Sequence, residues 1–207
     1  YNSTTGIVDL FHGVEDMEKH LIRCVGNPIE RFTEDALRIL RAVRFSAQLG
    51  YEIEASTKAG IRKLAGNLKN ISAERIQVEL TKLLVSPNPD FLRIAYDTGV
   101  TNVILPEFDV CMETEQVHQH HCYSVGEHIL HSLKEVPPVK ELRLAMLFHD
   151  IGKPRTLTLG EDGKTHFYGH PKESSNMTFE ILKRLRYDND TIHTVTRLVE
   201  FHDYRID

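Results

Sequence analysis

The chain has 207 residues and a mass of 23.8 kDa, with 41% hydrophobic and 27% charged residues, the balance of an ordinary globular protein of one or two small domains. No apolar run approaches the roughly 20 residues that a membrane-spanning helix needs, and Tyr1 opens the chain without a charged-then-apolar leader; a soluble, non-secreted piece excised from something longer is expected. A formal charge of −5 excludes a global attraction to nucleic acid, while three cysteines without paired spacing, Cys24, Cys111 and Cys122, argue against a disulfide framework or a cysteine zinc site and suit a reducing cytoplasm.

In chain order, Gly6 to Leu10 alternates weakly before a turn at Phe11-His12-Gly13 and reads as a short strand. Asn27-Pro28 then breaks the chain. Thr33 is placed to cap a helix running to Gly50, with Glu34 and Asp35 in its first turn, the charge sign that the positive helix end favours. Further helices are expected over Ala55 to Leu64, Ser72 to Val85 with Ser72 as cap, and Asp90 to Thr98. Between Ala55 and Arg75 stand Lys58, Arg62, Lys63, Lys69 and Arg75 against one acid, Glu74, which is either a solvated helix surface or a local basic contact for nucleic acid.

Pro87, Pro89 and Pro106 punctuate the middle of the chain, and a boundary near Pro106 divides it into residues 1–105 and 106–207. A His-rich loop, His118 to His121, leads into Ser124 to Val136. There Val125, Ile129, Leu133 and Val136 recur at 4, 4 and 3 residues and mark one helix face, ended by Pro137-Pro138. Lys140 to Ile151 reads as a buried helix stopped by Gly152 and Pro154, and Gly160 to Gly169 as a loop or hairpin. Helices at Glu173 to Arg186 and Asp190 to Phe201 complete an all-α fold with a residual strand at its start.

At 100° per residue along the helix after Thr33, with Asp35 at zero, Ala36, Leu37, Ile39, Leu40, Val43 and Ala47 fall between about 40° and 200° and form the core stripe. Glu34, Asp35, Arg38 and Arg41 fall at about −100°, 0°, −60° and −120°, on the opposite face. Spacing alone allows two readings. The acids and Arg38 could be ordinary i,i+3 and i,i+4 ion pairs, or they could form a polar recognition edge. Arg44, inside the apolar arc, is placed to brace a neighbouring helix.

The run from Asn27 through Phe45, with Glu34-Asp35-x-x-Arg38 at its centre, resembles the neck signature of class II tRNA nucleotidyltransferases and bacterial poly(A) polymerases. Gly6 to Asp16 and Leu21 to Gly26 are similar to the end of that family's head domain, and Ile71 to Leu80 to its next neck block. The resemblance implies that Glu34, Asp35 and Arg38, with Arg41 beside them, read the incoming base of CTP or ATP. A carboxylate accepts from an exocyclic amine and a guanidinium donates to ring nitrogens or carbonyls. The local basic stretch leads to the expectation that Lys58, Arg62, Lys63 and Lys69 contact the phosphates of a tRNA or other RNA 3′ end. The family's Gly-Ser strand and Asp-x-Asp metal ligands are absent here, so the chain by itself is expected to be inert in nucleotidyl transfer.

Among twelve histidines, His12, His20, His118, His120, His121, His131, His166 and His193 carry no individual assignment. Leu147-Phe148-His149-Asp150-Ile151-Gly152-Lys153-Pro154 is different, because a His-Asp doublet ending an apolar helix is costly to bury unless it is paired or bound to metal. With His128 lying 21 residues upstream of His149, the pattern is similar to the HD phosphohydrolase motif. That resemblance implies a divalent metal (Mg, Mn or Ni) on His128, His149 and Asp150, with His170 and His202 as further ligands and Lys153 as a phosphate contact; His121 competes with His128 for the first position. The expected whole is the nucleotide- and RNA-recognising part of a CCA-adding or poly(A) enzyme joined to an HD domain. The alternatives are a free-standing HD nucleotide or cyclic-phosphate phosphohydrolase and a helical RNA-binding module without catalysis.

Overall fold

A computed structural model describes residues 8–116, 123–160 and 164–204. Helix α1 (Gly13–Glu18) precedes strand β1 (Leu21–Ile22), which lies parallel to β2 (Glu52–Ile53) in the register Leu21 to Glu52 and Ile22 to Ile53. Of the strand expected over Gly6 to Leu10, the described part is not extended into a sheet. Val8 to Leu10 are irregular, and Gly6 and Ile7 lie outside the described residues. Asp9 instead accepts hydrogen bonds from the backbone N–H groups of Gly13 and Val14, at 2.8 Å each, and so fixes the entry to α1.

The single helix expected from Thr33 to Gly50 is two, α2 (Pro28–Glu34) and α3 (Leu37–Leu49). Asn27 supplies the cap that Thr33 was expected to give, accepting from Ile29 N at 2.9 Å with Pro28 in the first turn, while Thr33 donates back to the Ile29 carbonyl. Asp35 then leaves helical geometry, φ −149° and ψ 103°, and its carboxylate accepts from Leu37 N at 3.1 Å. An aspartate that satisfies an orphan N–H of the next helix gives the backbone an alternative to continuing the first one. Ile39, Leu40, Val43 and Ala47 of α3 are buried, as the stripe predicts.

Helix α4 (Ala55–Leu64), a 3₁₀ segment at Ala65–Asn70, and α5 (Ala73–Leu84) follow the expected bounds closely, and Ser72 stands at the cap position of α5 without a side-chain bond. A 3₁₀ turn at Pro89–Phe91 leads into α6 (Leu92–Asp97), then α7 (Val100–Ile104) and α8 (Pro106–Glu113). Pro106 stands at the junction where α7 ends and α8 starts, its missing N–H costing nothing in the first turn. In the second half come α9 (Val125–Glu135), capped by Ser124 Oγ accepting from Glu127 N, and α10 (Lys140–Phe148). Next are the short α11 (Lys153–Thr156) and an antiparallel hairpin of β3 (Thr158–Leu159) and β4 (Thr165–His166). Finally α12 (His170–Arg184) packs on α13 (Asn189–Glu200). No helix among the described residues is long and apolar enough to cross a membrane.

One contiguous cluster of buried apolar side chains runs through both halves, from Phe32 and Ile39 to Phe148 and Val199. Helix α10 packs on α5, and the buried Tyr187 hydroxyl meets Thr81 Oγ1 at 2.7 Å. Burial pushes the Tyr187 phenol up to about 12 against the opposing effect of that hydrogen bond. Arg93 pairs with Glu127 and Lys134 with Asp90, and these ion pairs hold α9 against the α6 region. Helices α8 and α9 approach so closely that a Cβ on Gly126 would lie 2.8 Å from Met112 Cα. Gly126→Ala is therefore expected to destabilise the protein by about 1 to 3 kcal/mol, the usual cost of overpacking. The loss would be read as a lower urea midpoint at unchanged slope, and an unaltered midpoint would show that the helices separate freely.

Candidate metal centre and nucleotide pocket

Helix α10 ends at Phe148, three residues earlier than expected, and this places His149 and Asp150 in the turn that follows. Asp150 is 2% exposed, and each of its oxygens faces a different imidazole pair. Oδ2 lies 3.4 Å from His128 Nε2 and 3.2 Å from His149 Nε2; Oδ1 lies 3.3 Å from His170 Nε2 and 3.7 Å from His202 Nε2. The five residues proposed from sequence as ligands thus converge from α9, the end of α10, the start of α12 and the end of α13. They form two three-residue groups that share Asp150. His121, the sequence competitor of His128, lies outside the described residues, as do His118 and His120.

Backbone carbonyls fix the tautomers. His149 Nδ1 donates to the Met146 carbonyl at 2.7 Å, His170 Nδ1 to Phe167 at 2.9 Å and His202 Nδ1 to Val199 at 2.7 Å, each a contact three residues back. With Nδ1 protonated, a neutral imidazole presents a bare Nε2 lone pair inward. Two such lone pairs meet head-on where His170 and His202 approach to 3.3 Å, while His149 Nε2 lies 3.1 Å from His128 Nε2. Two acceptors at that separation repel unless a proton or a cation lies between them. Ligands about 2.1 Å from one ion lie about 3.0 Å apart along an octahedral edge and about 3.4 Å apart along a tetrahedral one, which brackets most of these separations. Asp150 Oδ2 is also buried without a well-directed hydrogen bond, a costly state for a carboxylate that a cation would relieve. The residues present therefore fit a divalent ion.

Burial pushes the Asp150 carboxyl up, but the imidazoles of His149, His170 and His202 outweigh it and hold the group well below the usual carboxylate range. Burial likewise lowers His128 despite the nearby Asp150 charge, whereas for His202 the bond to Asp150 overcomes burial and raises the imidazole. Lys153, expected on phosphate, is largely buried, with Nζ 2.8 Å from Asp150 Oδ2 and 3.1 Å from Gln116 Oε1. Asp203 lies 3.3 Å from His170 at the solvent edge. A Cβ on Gly152 would sit 2.5 Å from Ser174 N, so only glycine lets the turn after Asp150 dock against α12.

In the neck, the acids and arginines do not share one undivided face. Glu34 Oε2 is held by Arg31 and Arg38 at 2.7 Å each, and Asp35 turns away to Arg75 Nη2 at 2.9 Å. Arg38 and Arg41 face a cavity of 240 Å³ that Phe32, Phe45, Cys24 and Thr57 also line. Arg44 braces α5 as its angle implied, 2.7 Å from the equally buried Glu79. Sequence reading missed Arg75 and Glu79 as partners because their carboxylate and guanidinium partners lie about 35 to 40 positions away. It missed Gln116 because nothing local marks a lone glutamine. Of the basic stretch, Arg62 Nε donates to the Asp97 carbonyl at 3.3 Å, Lys58 is half-buried, and Lys63 and Lys69 are exposed.

Residues 50–112 match the family profile described as "Probable RNA and SrmB- binding site of polymerase A", and residues 119–207 match the HD domain. A CCA-adding enzyme of Limosilactobacillus reuteri is 55% identical over 83 residues, 40% of this chain and 21% of its own length. That of Leuconostoc mesenteroides is 57% identical over 99 residues, 47% of this chain and 25% of its own. Over these segments the chain is similar to CCA-adding enzymes, and the matches span about a fifth to a quarter of the length of those curated relatives. The Thermotoga maritima CCA-adding enzyme complexed with tRNA_CCA shares the fold at a TM-score of 0.57 and 21% identity, over 94% of this chain and 42% of the solved chain.

Metal loading should be visible in the stability of the protein. Ni²⁺ at one hundred times its dissociation constant is expected to raise the unfolding free energy by up to about 2.7 kcal/mol. The rise should disappear with chelator and in His149→Ala, as measured by urea unfolding with and without the ion. An equal rise in the variant would place the ion elsewhere.

Proposed function

We propose that the chain is the nucleotide- and RNA-facing part of a CCA-adding or poly(A)-adding nucleotidyltransferase, acting on tRNA or other RNA 3′ ends in the cytoplasm with CTP and ATP as substrates of the intact enzyme. The observation that carries this reading is the convergence of Arg38 and Arg41 on one cavity, in a chain homologous to CCA-adding enzymes. Guanidinium donors aimed into a cavity with an aromatic wall can meet ring nitrogens and carbonyls of a base. Glu34 orients Arg38 from one side, and Asp35 joins the recognition edge when its bond to Arg75 opens. Residues 1–105 would serve this task, with Lys58, Arg62, Lys63 and Lys69 adding phosphate contacts, and 106–207 would form a separate catalytic unit.

For that second unit the donor geometry favours a phosphohydrolase. His128, His149 and Asp150 would hold a divalent ion, and His170 and His202 would complete the set on the other carboxylate oxygen. The imidazole-rich donors favour Ni²⁺ over the oxygen-preferring Mg²⁺ and Mn²⁺. Such an ion lowers the pKa of bound water and offsets charge on a phosphate ester. Lys153 is tethered by Asp150 and Gln116 where its ammonium can neutralise a phosphate oxygen.

Arg38→Ala, installed in the full-length enzyme, is expected to reduce C and A discrimination by about 1 to 3 kcal/mol, the value of one bidentate base contact. Normal folding with unchanged selectivity would end the base-reading assignment. Metal-loaded protein should hydrolyse adenosine 2′,3′-cyclic monophosphate, and Asp150→Ala should abolish turnover. Bound metal without turnover in the unaltered protein would leave a structural HD domain.

A further inference from the structure

The two oxygens of Asp35 have different tasks. Oδ1 accepts from Leu37 N at 3.1 Å and so caps α3, fixing the break between α2 and α3, while Oδ2 accepts from Arg75 Nη2 at 2.9 Å, 40 positions along the chain. Exchanging the partner of Oδ2 therefore leaves the cap and the backbone in place. Among the described residues, Asp35 is not one of those lining the cavity of Arg38 and Arg41. The carboxylate suited to accept from an exocyclic amine is thus held on α5, away from the guanidinium groups it would act with. Glu34 differs, because its partner is Arg38 itself.

The pair is weakly held at its Arg75 end. Nη2 alone makes the contact, and among the described residues the guanidinium has no other hydrogen-bonded partner, so its other donors are unused. The two side chains are 51% and 32% exposed, and ion pairs at such exposure are weak. Arg75 is also the third residue of α5, where the positive helix end disfavours a cation and favours an anion beside it. It closes the basic run that begins at Lys58, and the exposed Lys69 stands six positions before it. A guanidinium with unused donors in such a run can meet a phosphate bidentately, which its single contact with Asp35 does not match.

We propose that Arg75 is a positioning residue that couples RNA binding to base reading. A backbone phosphate of the RNA takes the Arg75 guanidinium, and the released Asp35 Oδ2 accepts from the exocyclic amine of cytosine or adenine beside Arg38. This rests on the base-reading assignment of Arg38. Uracil carries a carbonyl where cytosine carries its amine, so the freed carboxylate repels it and the preference for CTP over UTP reports the state of the latch. The coupling is reciprocal, so CTP tightens RNA binding by the same factor that RNA tightens CTP binding.

Titration of the intact enzyme with CTP and with UTP, each with and without a tRNA transcript that lacks its terminal CCA and ends in a 3′-deoxynucleotide, tests the inference. The transcript should raise the preference for CTP by up to about fivefold, the equivalent of one exposed ion pair. In Arg75→Gln the higher preference should be present without RNA, and RNA should add nothing to it. The same variant should bind the transcript more weakly, with a salt dependence flattened by about one phosphate contact. Arg75→Lys, which keeps the charge for both partners, should restore the RNA dependence. A preference that RNA leaves unchanged in the unaltered enzyme, or raises equally in Arg75→Gln, overturns the inference. If Arg38→Ala keeps the full preference, the base-reading assignment fails. A loss in Arg38→Ala beside an undiminished RNA response in Arg75→Gln removes the latch alone.

Discussion

A carboxylate taken out of water has to be compensated, and the second half of this fold is arranged around compensating Asp150. Its two oxygens are met by four imidazoles from four separate segments, with the Lys153 ammonium closing one side. His149 and His202 arrive at helix C-terminal ends, where backbone carbonyls without intrahelical partners are available to lock Nδ1, and His170 locks onto the Phe167 carbonyl just before α12. The early end of α10, the glycine contact at Gly152 and the left-handed turn at Gly169 all follow from bringing these ends together. With the ring orientations set in advance, an entering ion has few side chains left to order.

The neck shows the same economy at lower burial. Breaking the helix at Asp35 exchanges one continuous wheel for two short helices whose junction carboxylate can cap α3 and bind Arg75 of α5 together. The hydrogen bonds from Leu37 and Arg75 outweigh partial burial and hold Asp35 below its ordinary range, while the Arg38 hydrogen bond does the same for Glu34. These charges are therefore neutralised by near neighbours until something exchanges for them. Deeper in, Arg44 and Glu79 are buried as a pair, which fixes the angle between α3 and α5 because a lone member would be costly to leave there.

Helix periods and turn residues made most of the architecture legible. The stripes of α3 and α9, the bounds of α4 and α5 and the hairpin before α12 follow from spacing and from glycine and proline placement. The continuous helix after Thr33 was misread because Asp35 favours a helix interior start and a new cap equally well, and tertiary partners such as Arg75 decide between them. At the centre, His149-Asp150 stood out through local context, and His128, His170 and His202 through the family resemblance, whereas the meeting of His170 and His202 on one carboxylate oxygen depends on α12 and α13 packing side by side. Gln116, Arg75 and Glu79 act over separations of about 35 to 40 positions, which no local pattern encodes.

The hydrogen bond between Thr81 and Tyr187 spans 106 positions. On a ribosome adding about 5 to 20 residues per second, α5 emerges roughly 5 to 20 seconds before the hydroxyl that will meet it. For the part of that interval before α10 (Lys140–Phe148) emerges, the surface of α5 that it later covers lacks that partner. The first half must therefore persist on its local helix contacts, or with a chaperone over that face, until α10 covers it and Tyr187, just before α13, reaches Thr81.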